Sequence, residues 1–409
     1  MPSRKIRIGA VGCGVVATAY YFPFIMDYEK TELVAVCDSR EVRARESARI
    51  FGADEYYTDY DEMLDKSNID AVFILTGAGP HTNFALKAAQ ARKHMLIQKP
   101  MALTLDEANK ITDAVRAAGV KAVIEPSGGT PVQESVRELK KIVDAGALGE
   151  PYWFYNVPLG PTEYGPALSG NPYGAGAFYN KDSGGMVFDY PYGPTQIVGI
   201  LGSVKSVLGS AKVSVPDRAI VPEENYDEYL KQVTDPHDAN YWRVVVNEER
   251  SKPVKMEAPD NAWCTYEMQN GAIGAYHVGR LFHPMPKGVN IPGLQVFGTD
   301  GNLIFGGPHA VSIISKHKHL LPHTDEDGWY HIEPPKLPPS PWPIPPKGSW
   351  IYYHESTKHL VECILEDKDP VINVEWGRHI TEIMYGVLES NRTGTRYHMT
   401  TTLTGLVGD

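Results

Sequence analysis

Three stretches of this 409-residue chain carry residue types that could do chemistry. The first is Gly12-x-Gly14-x-x-Ala17, in "GAVGCGVVA", directly after the apolar run "KIRIGAV". Between a strand and a helix, Gly12 allows a tight turn, Gly14 lets backbone approach a pyrophosphate, and Ala17 lets the helix pack on the sheet. The helix start at Val15 and Val16 then turns its N–H groups toward phosphate oxygens. The second is Asp38, at the end of "TELVAVCD" and followed by Ser39. A carboxylate there accepts from both ribose hydroxyls and repels a 2′-phosphate, which favours NAD(H) over NADP(H). Arg40 pulls the other way, since a nearby arginine can hold a 2′-phosphate. The third is "HMLIQKPMALTLDEA", where Lys99 stands at the mouth of an apolar strand and Pro100 pins it. The carboxyl ends of such strands are where open α/β folds bind ligands.

The elements that must position these residues are legible as patterns. Five apolar runs, "KIRIGAV", "TELVAVCD", "IDAVFILT", "HMLIQK" and "VKAVIE", alternate with helical stretches such as "HTNFALKAAQARK". Continuous apolar strands separated by helices indicate a parallel sheet covered on both faces. Thr104-x-x-Glu107 is a capping box, and its helix stops at Gly119. Thr130-Pro131 predicts the start of another helix, with Val132, Val136, Leu139, Ile142 and Val143 on one face.

After about Pro151 aromatic and β-branched runs dominate, with turns at Asn270-Gly271 and Asp300-Gly301, which indicates a largely antiparallel sheet. The expected fold class is α/β: an N-terminal Rossmann dinucleotide-binding domain, residues 1–126, and a C-terminal α/β domain, residues 127–409, with a large open mainly antiparallel sheet. The stretch Pro334 to Pro346 holds eight prolines, so it is expected to be extended and able to reach a neighbouring subunit or the site's mouth.

Composition narrows the partners. The net charge of −11 repels phosphate backbones and argues against nucleic acid. No run approaches the roughly 18 apolar residues of a membrane span. The start "MPSRKIRIGAVGCG" enters a strand at once, and four scattered cysteines suit reduced thiols, so a cytoplasmic protein is expected. An open sheet whose second face is too apolar for water predicts a homodimer or homotetramer. In "SKHKHLLPHTDEDGWYH", His317 and His319 would share one side of a strand, but the stretch is polar and loop-like, and no metal is expected.

The stretch "LTGAGPHTNFALKAAQARKHMLIQKPMALTLDEA" closely resembles the glucose–fructose oxidoreductase / inositol dehydrogenase / rhizopine-catabolism (Gfo/Idh/MocA) family. Thr76 and His81 match its T-P-x-x-x-H element, His94 lies in the next, and Lys99-Pro100 match E-K-P. Gly77 and Gln98 depart from the usual proline and glutamate. "DAGALGEPYWFY", "SGGMVFD", "FGTDGNLIF" and "DKDPVINVEWGRHITEIMYGVLESNRTG" are further landmarks in order. The resemblance implies an enzyme acting on a carbinol of a sugar, cyclitol or glycoside, with Thr76, His81, Gln98 and Lys99 in the cofactor site. It also places Lys99 beside the nicotinamide and the reacting hydroxyl. A lysine there can donate to the developing oxyanion, and once desolvated it can accept the hydroxyl proton.

The family's D-x-x-x-H element maps to "DSGGMVFDYPYGPTQIV". Asp189 matches, the histidine position is Gly193, and Tyr192 is the expected substitute. The tyrosines can equally pack against Pro191 and Pro194. Aromatics of "YWFYNVPLGPTEYGPALSGNPYGAGAFYNK" would form a substrate wall or an interface. Two other readings stay open: an NAD-retaining enzyme that cleaves or epimerises through a transient keto-sugar, and a non-enzymatic sensor, for which Lys99 would have no use.

Overall fold

A computed structural model describes residues 4–157, 180–214, 216–220, 222–239, 252–279, 293–305, 310–333 and 351–403. The first sheet contains β1 (Ile6–Val11), β2 (Thr31–Cys37), β3 (Glu55–Tyr57), β4 (Ala71–Ile74), β5 (His94–Ile97) and β6 (Ala122–Ile124). They pair in parallel in the order β3-β2-β1-β4-β5-β6. Ile74, Leu96 and Val123 are fully buried, as strands covered on both faces require. The strand order reverses between β1 and β4, and a crevice opens outside their carboxyl ends at such a point. Sequence patterning missed β3, a three-residue edge strand without a buried residue.

The predicted capping box is present: Thr104 accepts from the Glu107 N–H at 3.2 Å, and Glu107 accepts from the Thr104 N–H at 3.1 Å. The helix Leu105–Ala118 ends on Gly119 at φ 65°. The helix expected from Thr130 instead begins at Glu134, with Gln133 as N-cap. Thr130 is spent on a turn, where its hydroxyl donates to the Ser127 carbonyl at 2.6 Å.

The second half contributes β7 (Pro151–Asn156), β8 (Val204–Lys212), β9 (Asp217–Ile220), β10 (Lys252–Lys255), β11 (Asn261–Met268) and β12 (Ile273–Gly279). It continues with β13 (Leu294–Gly298), β14 (Gly301–Phe305), β15 (Val311–Ser315), β16 (Trp329–Ile332) and β17 (Tyr397–His398). Nine of these make one sheet, β16-β15-β14-β13-β7-β12-β11-β8-β17, antiparallel except at β12–β7. One face turns Phe154, Val207, Tyr266 and Val296 into the core. The helices Tyr192–Leu201 and Val374–Thr393 lie against that side. The other face presents Trp153, Trp263, Ile273 and Leu208, at 43%, 48%, 57% and 41% exposure. Trp153 stacks on Phe297 there at 4.9 Å.

The proline-rich stretch 334–346, and the expected substrate wall from residue 158 to 179, lie outside the described residues. His317 is not on a strand. It caps a short 3-10 turn after β15 and pairs with Asp300 at 3.0 Å, while His331 pairs with Asp325 at 3.1 Å. Among the described residues no three metal-ligating side chains gather, and no helix is long and apolar enough to cross a membrane.

Candidate active site

Every parallel strand but the edge strand β3 delivers a site residue at its carboxyl end. Gly12 follows β1, Asp38 follows β2, Thr76 lies just past β4, Lys99 just past β5, and Glu125 follows β6. The glycine loop can be tested against a dinucleotide residue by residue. Gly12 has φ 94°, and a Cβ there would lie 2.7 Å from the Thr76 backbone nitrogen, so the protein's own packing demands glycine. A Cβ on Gly14 would meet nothing within 4 Å, so this glycine leaves room on the open side of the loop, as a pyrophosphate needs. Ala17 is fully buried against the sheet. Val15 and Val16, half-buried, begin the helix, which takes a π-helical turn at Ala17–Tyr21.

Asp38 Oδ2 accepts from the Cys13 N–H at 2.8 Å and Oδ1 from the Arg40 N–H at 2.9 Å. Each oxygen keeps further acceptor capacity for ribose hydroxyls. Ser39 is exposed beside it. These residues fit a dinucleotide cofactor.

Lys99 is brought to the second domain. Its Nζ donates to the Asp189 carbonyl at 2.8 Å and to Asp189 Oδ1, and stands 5.7 Å from the Tyr192 ring centroid. The pair is largely withdrawn from water, with side-chain exposures of 15% and 11%. Asp189 ends the short helix Gly185–Asp189, which enters from Gly184 at φ 72°. A Cβ on Gly185 would fall 2.1 Å from the Pro259 carbonyl oxygen, so the double glycine sets how closely this helix approaches. Tyr192 then opens the next helix, Tyr192–Leu201, one residue past Pro191.

The missing histidine has a steric explanation. A Cβ on Gly193 would lie 2.1 Å from the Tyr276 ring, whose hydroxyl donates to the Tyr190 carbonyl at 3.2 Å. A strand-β12 tyrosine fills the space that a side chain at Gly193 would need.

Two further sequence candidates, His81 and Gln98, are buried among protein partners. His81 is fully buried, its ring nitrogens 2.8 Å from the Pro100 carbonyl and 3.1 Å from the Thr76 carbonyl. Burial lowers its pKa, and a neutral ring at this position donates to only one of the two carbonyls it sits between. Gln98, 4% exposed, accepts from the Lys99 N–H at 2.9 Å and donates to the Tyr21 hydroxyl at 2.9 Å. The polar atoms of both residues are engaged with neighbouring protein groups. Thr76 stays half-buried at the rim.

Sequence reasoning missed the next layer. Tyr21 donates to Glu125 Oε1 at 2.8 Å, which also accepts from Ser356, while Oε2 accepts from the Ser127 N–H at 2.8 Å. Burial pushes the Glu125 carboxyl up to about 7, against the lowering effect of those donors. The signal was present, since "VIEP" at the end of β6 repeats the pattern of "IQKP" at the end of β5.

The parallel sheet, its glycine loop and the acid after β2 define a class: a protein with a Rossmann dinucleotide-binding domain. A model of an oxidoreductase family with an NAD-binding Rossmann fold matches residues 6–125, and the GFO/IDH/MocA C-terminal domain matches residues 136–304. The chain belongs to the Gfo/Idh/MocA oxidoreductase family. It is 22% identical over 373 residues to scyllo-inositol 2-dehydrogenase (NAD(+)) of Bacillus subtilis, covering 90% of this chain and 89% of that one. It is 27% identical over 147 residues to myo-inositol 2-dehydrogenase of Thermotoga maritima, 36% of this chain and 43% of that one. An uncharacterized oxidoreductase of Rhizobium meliloti, ORF334, is 32% identical over 145 residues, again 36% and 43%. The chain thus spans less than half the length of those last two relatives. In fold it is similar to levoglucosan dehydrogenase in complex with NADH, at TM-score 0.74 and 18% identity over 97% of this chain and 100% of that one.

Proposed function

We propose that the chain transfers hydride between NAD(H) and a carbinol of a sugar, cyclitol or glycoside. The observation that carries this reading is the Lys99–Asp189 pair. It sets an amine at the carboxyl edge of the Rossmann sheet, facing the second domain. Nicotinamide bound at this edge would supply the hydride acceptor. Lys99 donates to the carbinol oxygen as negative charge develops on it, a contact stronger in the transition state than before it. In its neutral form the amine accepts the hydroxyl proton, and Asp189 stabilises the ammonium that results. Two of the lysine's three donors are drawn to Asp189, which fixes the direction of the amine. Tyr192, with its ring by Lys99, is placed to hold a second substrate hydroxyl. Relatives named for inositol and levoglucosan support a polyol or sugar substrate.

Asp38 selects NAD(H). Asp38→Ala is expected to weaken NAD(H) by about tenfold or more, because a charge-assisted acceptor for ribose is lost and the Cys13 N–H loses its partner. NADP(H) should lose less, since a repulsive charge goes as well. Fluorescence titration with both cofactors measures this, and an unchanged NAD/NADP ratio would count against Asp38 as selector.

The open sheet face joins two copies of the chain, as a homodimer or within a homotetramer. Trp153, Ile273 and Leu208 lie on one exposed surface, and an apolar patch of this kind is costly in water. Light scattering at micromolar concentration should show an oligomer, and Trp153→Asp with Ile273→Asp should shift it toward monomer. A native chain that scatters as a clean monomer defeats this part. Four cysteines that are free and buried support the reading of a cytoplasmic protein.

A further inference from the structure

A helix of the second half, Glu223–Gln232, docks on the first domain beside Asp38. Glu223, Tyr226, Asp227 and Leu230 recur at helical spacing, and Tyr226, Asp227 and Leu230 are buried. The Tyr226 hydroxyl donates to the Cys13 carbonyl at 3.1 Å and meets the Thr18 hydroxyl at 2.8 Å, so the helix holds the glycine loop itself. Arg40 Nε donates to Asp227 Oδ2 at 2.8 Å, joined by its Nη2. Arg43 Nε donates to Asp227 Oδ1 at 2.7 Å, and its Nη2 reaches Glu223. At the other end Arg49 donates to the Val233 carbonyl at 2.9 Å.

We propose that Asp227 makes the chain selective for NAD(H) over NADP(H) by holding the Arg40 guanidinium and placing a second carboxylate near Asp38. This rests on the reading that Asp38 receives the adenosine ribose. Asp38 and the docked helix share two neighbours. Cys13 gives its N–H to Asp38 and its carbonyl to Tyr226, and Arg40 gives its N–H to Asp38 and its side chain to Asp227. An arginine two residues past the ribose acid would otherwise be the natural partner of a 2′-phosphate. Here its charge is already matched by a carboxylate only 8% exposed. A 2′-phosphate brought to Asp38 would meet two guanidinium groups facing three carboxylates, those of Asp38, Asp227 and Glu223. Selectivity is therefore set partly from the second half of the chain.

The test measures dissociation constants of NADH and NADPH for native protein, Asp227→Asn, Asp227→Glu, and Asp227→Asn with Arg40→Ala. Asp227→Asn keeps the shape and releases the arginine, so NADPH should bind about tenfold more tightly while NADH changes by less than about twofold. Asp227→Glu should keep the native ratio, and adding Arg40→Ala should abolish the gain. A ratio unmoved in Asp227→Asn, or a gain that survives Arg40→Ala, overturns the proposal. Should Asp227→Asn fail to fold, Arg40→Ala alone decides. An arginine already withheld leaves NADPH affinity within about twofold, and a tenfold fall overturns the proposal. Failure of the underlying reading looks different, because Asp38→Ala would then leave the NAD/NADP ratio where it was.

Discussion

Lys99→Ala is expected to lower kcat for carbinol oxidation by roughly 10³-fold or more, with NAD(H) still bound. The amine both donates to the developing oxyanion and takes the hydroxyl proton, and both effects are larger in the transition state than in the bound substrate. Removing it also takes the lysine partner from the buried Asp189 carboxylate, which is expected to lower stability. Stability and chemistry are separated by a double variant, Lys99→Met with Asp189→Asn. Methionine keeps the packing of the lysine stem and asparagine removes the buried negative charge that the lysine faced. The double variant should regain thermal stability without regaining turnover. If turnover returned with stability, Lys99 would be a structural residue.

Asp189→Asn is expected to lower the maximal rate by about 10²-fold and to move its pH dependence. Oxidation needs the neutral amine, so the rate rises with pH as the lysine loses its proton. A neighbouring carboxylate favours the ammonium, so removing its charge lets the amine deprotonate at lower pH. The rising limb of kcat/KM against pH should therefore shift to lower pH in Asp189→Asn. A merely structural aspartate would lower activity at every pH without moving the limb, and a shift to higher pH would contradict the pairing.

The strands buried on both faces are legible because each is a short continuous apolar run. Gly12, Asp38 and Lys99 do stand at the strand ends where the sequence puts them, though a role for Lys99 comes only with the family resemblance. Asp189 is singled out only through the family resemblance, whose glycine-rich turn and aspartate match Gly184, Gly185 and Asp189. What was missed depends on contacts between distant parts of the chain. The role of Gly193 is set by Tyr276 on β12, and nothing near Gly193 reports that ring. The resemblance implies His81 and Gln98 in the cofactor site, and their burial against the Pro100 carbonyl and the Tyr21 hydroxyl is not something their own neighbours in sequence report. Arg40 was ambiguous for the same reason, since its partner Asp227 lies in the other half of the chain. The stretch "EENYDEYLKQ" looks like any acidic surface helix until Arg40, Arg43 and Arg49 are seen along its docking edge.

The central claim is that hydride passes between a carbinol carbon and nicotinamide beside Lys99. It is tested most directly by following deuterium. The protein is incubated with NAD⁺ and a panel of sugars, cyclitols and glycosides deuterated at their carbinol carbons, and the nicotinamide is examined by mass spectrometry. At least one substrate should label the nicotinamide ring in the native protein, with labelling slowed by roughly 10³-fold in Lys99→Ala. Accumulating free NADH would mark a net dehydrogenase, and labelled cofactor without accumulation would mark the redox-neutral variant of the same step. If the native protein binds NAD(H) and no member of the panel ever labels it, or if Lys99→Ala labels it as fast as native, the account is contradicted.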